Sequence, residues 1–450
     1  MIGEFTQNAL VTIITQTSSF LFGLGTSIII ARILGPEGKG IYSLAILLPS
    51  FLVYFSHLGI GHATVFYLGK RKYPSTEVLG NNISCTILLS AGAISVGLLI
   101  ILFFSNNLFS GVASRYLFLA LLVVPLHLFL NFTVYILLGL QKITKYNFIL
   151  FIRVFLFFAF VVILLLGFHL GVGAAIIAEV LAFFIACIVS FLVTKRETGG
   201  ICLKPKSGYL KSAFSYGIKT HLGSILSFLH YRIDMLLINA FSNPLMVGFY
   251  SLSAGFAEKI WLVSDAAGTV LFPRISSETD ERNLKEFTPL VFRSVLLITA
   301  VIGILLLAMG HWLIVLFYSE AFVDSIKPFK ILLIGTIAIS GWRILENDLK
   351  GRGRPMANTY ITGISLVINV ILNVLWIPKF GILGAAWATS VSYNVVLLIT
   401  VVFYGKISRN RIKDVISVKK SDLEFYLGLL VVFRDSSRVK EYGVGGNGQS

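Results

Sequence analysis

The 450-residue chain is 56% hydrophobic and only 13% charged, a balance that no water-soluble domain of this length can bury or expose. Its formal charge of +16 would suit a nucleic-acid partner only if gathered with stacking aromatics on a soluble face, and here it sits in short loops between apolar runs. Cys85, Cys187 and Cys202 are isolated, so neither a disulfide framework nor a zinc site is expected, and no cofactor or catalytic group is indicated.

Apolar runs of eighteen or more residues recur along the chain, each long enough to cross a hydrocarbon core of about 30 Å as a helix. Barrel strands would alternate apolar and polar residues instead, so a β-barrel is excluded. The first run lacks a small-residue cleavage site and is read as a retained membrane helix. In chain order the runs predict helices near 8–34, 41–68, 80–104, 113–139, 146–167 and 170–194, then near 213–241, 246–273, 288–317, 328–346, 357–377 and 380–404. The expected fold is all-α: a polytopic membrane protein of about twelve transmembrane helices. Its parts are a six-helix bundle over 1–194, a cytoplasmic linker over 195–212, a second bundle over 213–404 and a basic tail over 405–450. The apolar run at 425–433 is too short to cross.

Lys and Arg alternate between rich and poor connections. The rich ones hold Lys70, Arg71 and Lys72, then Lys142 and Lys145, then Lys195, Arg196, Lys204, Lys206 and Lys211; in the second half they hold Arg274, Arg282 and Lys285, then Lys350, Arg352 and Arg354, and finally the tail. The excess marks the cytoplasmic side, so both termini are expected there. No connection is long enough for a folded domain outside the membrane. The linker's cations are placed to meet anionic lipid headgroups.

The two halves repeat. An offset of 208 aligns Pro36, Gly40, Tyr42, Ser43 and Leu44 with Pro244, Gly248, Tyr250, Ser251 and Leu252, and an offset of 211 aligns Asn147 with Asn358 and Gly173, Ala174 and Ala175 with Gly384, Ala385 and Ala386. Six helices per half make the repeat parallel, and such folds place a central cavity between the halves.

The segment Ala31-Arg-Ile-Leu-Gly-Pro-Glu-Gly-Lys-Gly-Ile-Tyr42 resembles the first-hairpin signature of bacterial polysaccharide-biosynthesis membrane proteins, the O-antigen and capsule repeat-unit flippases, and Tyr231-Arg-Ile-Asp-Met-Leu-Leu237 resembles the matching motif of their second half. The likeness covers about residues 1–404. It implies two six-helix bundles, alternating access and an undecaprenyl-pyrophosphate-linked oligosaccharide as substrate, moved across a bacterial inner membrane. Coupling to a proton or sodium gradient and association with polysaccharide polymerase or assembly proteins follow from the same likeness. Several members carry two further C-terminal helices, which the polar end of this chain is expected to lack.

Charge inside a bilayer is costly, so embedded ionisable residues are the candidates for function. A pyrophosphate needs cations along its path, and Arg can grip it bidentately. Arg232, Lys219 and Arg153 are the expected substrate contacts. Arg232 equally suits an ion pair with Asp234 or a neighbouring helix. For ion coupling the candidates are Glu179, the only deep acid of the first half, with Asp234, Glu258 and Asp265. Glu258 and Asp265, seven apart, should stack on one helix face with Lys259 beside them, as an ion-pair network or a relay. Arg293 and Arg343, near helix ends, are expected to snorkel. A small-molecule exporter of the same architecture and a membrane enzyme of polysaccharide assembly are the competing readings. The first would prefer an acidic, aromatic cavity, and the second a long external loop.

Overall fold

The computed structural model describes residues 2–203, 207–277, 281–417, 419 and 422. Lys204, Lys206, Lys420 and the stretch 423–450, which includes the apolar run at 425–433 and most of the expected tail, lie outside the described residues, as does the side chain of Lys219.

All regular structure among the described residues is helical. The first half comprises α1 (Ile2–Ser56), α2 (Ile60–Gly69), α3 (Ser75–Leu108), α4 (Ser114–Leu121), α5 (Val123–Gly139), α6 (Ile143–Val161), a π-helical stretch over Val162–Gly167, and α7 (Val172–Thr198). The second comprises α8 (Ser207–Phe241), α9 (Pro244–Ala257), a 3-10 turn over Glu258–Ile260, α10 (Trp261–Ser277), α11 (Glu281–Tyr318), a 3-10 segment over Glu320–Ser325, α12 (Ile326–Gly351), α13 (Pro355–Ser408) and the short α14 (Ile412–Ile416). Among the described residues, seven stretches are long and apolar enough to cross a membrane. α8, which carries Arg232 and Asp234, is not one of them.

Two of the seven, Val11–Ser56 and Met356–Ser408, run to 46 and 53 residues, more than twice the roughly 20 needed for one crossing. Each is broken by a glycine with positive φ, Gly35 at 67° and Gly381 at 58°, a region that costs a residue with a Cβ. At Gly381 the chain doubles back. A Cβ on Gly384 would lie 2.4 Å from the Trp376 carbonyl, which a continuous helix would hold ~12 Å away.

The chain divides into two compact units: Met1–Lys259 with Leu305–Gly335 and Thr359–Tyr393, and Ile260–Ile304 with Thr336–Asn358 and the remainder from Asn394. In the first unit, Val134, Leu137, Ile149, Phe183 and Ala186 join α5, α6 and α7, while Ala63, Leu79, Ile136 and Tyr209 join α2, α3, α5 and α8. Lipid offers no hydrophobic drive between helices, so close packing of small residues has to hold them. The sequence repeat supplies such a contact. A Cβ on Gly40 would meet the Pro244 carbonyl at 1.7 Å, a Cβ on Gly248 would meet the Pro36 carbonyl at 1.8 Å, and the Ser43 and Ser251 hydroxyls are 3.2 Å apart. Residues aligned by the 208 offset therefore touch each other reciprocally, as they do across a two-fold contact.

In the second unit, Leu271, Phe292, Ile344, Leu345, Val401, Tyr404 and Val415 form one buried cluster, so α14 is part of the core. Arg293 does not snorkel as its position near a helix end suggests. It is 6% exposed and grips Asp422 bidentately at 2.6 and 2.7 Å, while its Nη1 donates to the Asp414 carbonyl. The cause is the returning chain, which brings a carboxylate to the arginine. Arg343 pairs with Asp265 and lies over the Trp261 ring, rather than reaching for solvent.

Candidate functional site

Three groups of the first unit contain its embedded candidate residues. On α7, Glu179 and Phe183 are one turn apart and share a face. Tyr42 of α1 donates its hydroxyl to Glu179 Oε2 at 2.7 Å. Arg153 of α6 lies 5.0 Å from the centre of the Phe183 ring, and no salt bridge joins it to Glu179. Lys39, just past the Gly35 break, lies over the Tyr42 ring at 5.4 Å. Glu179 interacts electrostatically with both Arg153 and Lys39.

The second group is a buried polar network. Asp234 of α8 is 3% exposed, and its Oδ2 accepts the Tyr250 hydroxyl at 2.5 Å and that of Thr389 at 3.4 Å. Its Oδ1 takes the Met235 backbone N–H at 2.8 Å. Asn369 and Asn373, spaced one turn apart on α13, extend the network: Asn373 Nδ2 donates to Asn369 Oδ1 at 3.0 Å, and Asn369 Nδ2 to Ser392 Oγ at 3.1 Å. His230, which the helical period puts on the Asp234 side of α8, reaches Ser365 and Ser392 at 3.1 and 3.2 Å. Ser365 donates its own proton to the Ser392 carbonyl, so His230 Nε2 carries the hydrogen toward it. The carbonyl oxygen of the Asn373 side chain is buried without a hydrogen-bond partner. An orphaned acceptor among a carboxylate, amides and hydroxyls is the donor set of a hard cation. No group of three or more His, Cys, Asp or Glu side chains gathers among the described residues.

In the third group Arg232 takes the second of its two expected partners, a neighbouring segment in place of Asp234. Its Nη1 and Nη2 donate to the two carboxylate oxygens of Glu258 at 2.6 and 3.0 Å, and Nη1 also reaches the Tyr231 carbonyl. Asp234 lies two residues on, about 200° around the helix, and is engaged by Tyr250 instead. Glu258 and Asp265 each have an arginine of their own: Glu258 pairs with Arg232 in the first unit, and Asp265, 61% exposed, with Arg343 in the second.

Arg153, Glu179, Arg232, Asp234 and Glu258 thus all belong to the first unit, and Asp265 does not. Sequence reasoning missed Lys39, Tyr42, Tyr250, Asn369, Asn373 and Thr389. A signal existed for the tyrosines, since the 208 offset aligns Tyr42 with Tyr250 and each donates to an acid of its own half. Asn369 and Asn373 were visible as two amides at helical spacing within an apolar run.

The family described as polysaccharide biosynthesis protein matches residues 5–278, and the MatE family matches residues 220–375. A protein of Shigella flexneri named as an O-antigen transporter is 26% identical over 389 residues, 82% of this chain and 90% of that one. A Haloferax volcanii protein named as a glycan biosynthesis flippase is 30% identical over 201 residues, 43% of this chain and 41% of that one. The chain spans only 40% and 58% of two uncharacterized membrane proteins of Methanocaldococcus jannaschii that it also matches. In fold, the lipid II flippase MurJ in an inward closed conformation superposes with a TM-score of 0.73 at 17% identity, over 97% of this chain and 94% of that one.

Proposed function

Because this chain belongs to the polysaccharide biosynthesis protein family, we propose that it is a flippase that moves a diphosphate-linked lipid oligosaccharide from the cytoplasmic to the periplasmic leaflet. The reading takes the chain as twelve crossings in two parallel six-helix bundles, both termini cytoplasmic, working by alternating access around a central cavity. The observation that carries it is Arg153, a guanidinium within an apolar helix that is stacked on Phe183 and makes no carboxylate salt bridge among the described residues. An arginine kept charged and uncommitted at that depth is placed for an anionic cargo. Arg232 adds a second guanidinium, held in reserve by Glu258, and Lys219 stays a candidate on α8.

Ion coupling falls to the half-buried Glu179 and the buried Asp234. Tyr250, Thr389, Asn369 and Asn373 give Asp234 the oxygen ligands that a proton or sodium ion would use. Glu258 serves Arg232. The relatives named for O-antigen transport and glycan flipping support the substrate class.

The test is flux of a fluorescent prenyl-diphosphate oligosaccharide in proteoliposomes. Wild type should flip it, and a well-folded Arg153→Ala protein should do so at least about tenfold more slowly, the loss of one charge-assisted contact. Undiminished flux by that variant would remove Arg153 from the path. The match to the MatE family over 220–375 favours a second reading, export of small organic cations. Efflux of such compounds without lipid flipping would establish it in place of the first.

A further inference from the structure

The crossing expected over 41–68 is interrupted just past its middle. α1 ends at Ser56 and α2 begins at Ile60, and the turn between them holds Leu58 and Gly59 in succession at positive φ, 46° and 68°. Backbone that leaves the helix at membrane depth persists only where protein packs on it or water reaches it. Here α8 packs on it. A Cβ on Gly59 would lie 2.3 Å from the Gly217 carbonyl, so the turn is seated directly on the α8 backbone. Gly217, His221 and Phe228 recur at helical spacing on one face of α8, the face that α1 meets. There the Tyr54 ring stacks on Phe228 with centres 4.1 Å apart, and the His57 and His221 rings are 4.7 Å apart.

Several polar atoms at this contact are left open. Gly59 donates its N–H to His57 Nδ1 at 3.0 Å, so Nε2 carries the His57 hydrogen. His221 Nε2 faces the Phe55 carbonyl at 3.1 Å; a carbonyl only accepts, so this nitrogen is the donor and Nδ1 is a bare acceptor. His221 is 3% exposed, and that Nδ1 is buried without a hydrogen-bond partner. Tyr54 is 36% exposed, and its hydroxyl makes no hydrogen bond among the described residues. At the middle of a crossing a phenol turned to lipid would keep an unsatisfied hydroxyl, which is why lipid-facing tyrosines gather at the interfaces instead. The exposed side of Tyr54 therefore faces water.

We propose that Tyr54, His57 and His221 form a sugar subsite, in which a pyranose of the cargo lies against the exposed side of the Tyr54 ring and its hydroxyls bond the two histidines. This rests on the flippase reading and adds to it a contact for the oligosaccharide, apart from those for the diphosphate. A pyranose has a face of C–H bonds and a rim of hydroxyls, each able to donate and to accept. The tyrosine ring takes the C–H face. His57 Nε2–H and His221 Nδ1, a donor and an acceptor on touching rings, take a hydroxyl that needs both. Paired imidazoles would also suit a metal ion, but no group of three or more His, Cys, Asp or Glu gathers among the described residues. Phe228 backs the Tyr54 ring and the Gly59–Gly217 contact holds the histidines together, so little is left to order on binding.

The experiment compares calorimetric binding of geranyl diphosphate and of geranyl-diphospho-N-acetylglucosamine to the full-length protein. Wild type should bind the glycosylated probe at least about tenfold more tightly, the worth of one stacked ring with its hydrogen bonds. Tyr54→Ala should lose that preference, and Tyr54→Phe, which keeps the ring, should retain most of it. Equal binding of the two probes by wild type, which needs no variant to fold, overturns the subsite and leaves the flippase reading standing. A full preference in Tyr54→Ala, or none in Tyr54→Phe, overturns the stacking that defines the site. Displacement of the glycosylated probe by an equal concentration of free N-acetylglucosamine overturns the lipid-linked sugar as the occupant. Failure of wild type to bind either probe overturns both this site and the substrate class it rests on.

Discussion

Tyr42 and Tyr250 occupy matching places in the two halves and each donates to an acid, the half-buried Glu179 in one and the buried Asp234 in the other. The acids themselves do not align, which is why the likeness was invisible until the chain was folded. Hydrophobic periodicity shows which residues lie deep, and it says nothing of which helix faces them. The same limit explains Arg232. The sequence left Asp234 and a neighbouring helix open as partners, and the fold supplies Glu258 from the 3-10 turn after α9. Arg232→Ala should therefore lower protein abundance by stranding Glu258, at a cost of about 1–2 kcal/mol, below the 3–5 of a fully buried pair because Arg232 is 29% exposed. Adding Glu258→Gln should restore abundance and adding Asp234→Asn should not. Rescue by the Asp234 change, seen on a quantitative membrane blot, would contradict the pairing. Asp234→Asn by itself should leave abundance near wild type while removing the dependence of flux on the ion gradient; flux that still follows the gradient would exclude Asp234 from coupling.

Helix positions were legible because long apolar runs are hard to mistake, and their ends were not. α8 starts at Ser207 rather than near 213, since backbone hydrogen bonding continues past the apolar stretch into polar sequence. The expected gap at 35–40 shrinks to a single non-helical residue, Gly35. α14 carried no signal as an element, because what holds it lies far away in sequence: Val415 joins the buried cluster, the Asp414 carbonyl accepts from Arg293, and Asp422 beyond it grips the same guanidinium. Burial alone would push the Asp422 carboxyl up, and the Arg293 hydrogen bonds hold it below the usual carboxylate range. A depressed folded value means that the docking energy is present above the unfolded value near pH 3.9 and is lost as the pH falls through the folded one. Limited proteolysis should find the 409–417 segment resistant at pH 7 and exposed well below pH 4, while in Asp422→Asn it should be cut readily at both. Equal resistance of that variant at pH 7 would make the ion pair incidental to docking.

For the molecule as a whole, the alternation of Lys and Arg predicts the orientation, and cysteine labelling should reach the 195–211 connection only from the cytoplasm. Exclusive labelling from outside would invert every assignment of side. Alternating access makes a stricter demand on the contact between the repeated segments. Pro36, Gly40 and Ser43 meet Pro244, Gly248 and Ser251 with backbone so close that neither glycine has room for a Cβ. A transporter that exposes its cavity to both sides in turn has to separate them once in each cycle. The Ser43 and Ser251 hydroxyls, 3.2 Å apart, mark where a covalent tie would prevent it. A disulfide needs sulfurs about 2.05 Å apart, within reach of a small side-chain adjustment from this geometry. Ser43→Cys with Ser251→Cys should therefore cross-link under mild oxidant and lose lipid flipping, and a reductant should restore it. Each single cysteine variant should flip at the wild-type rate in both conditions, which separates the tie from the substitutions. Full flux by the cross-linked protein would mean that this contact stays closed throughout transport, and the moving boundary would have to lie elsewhere.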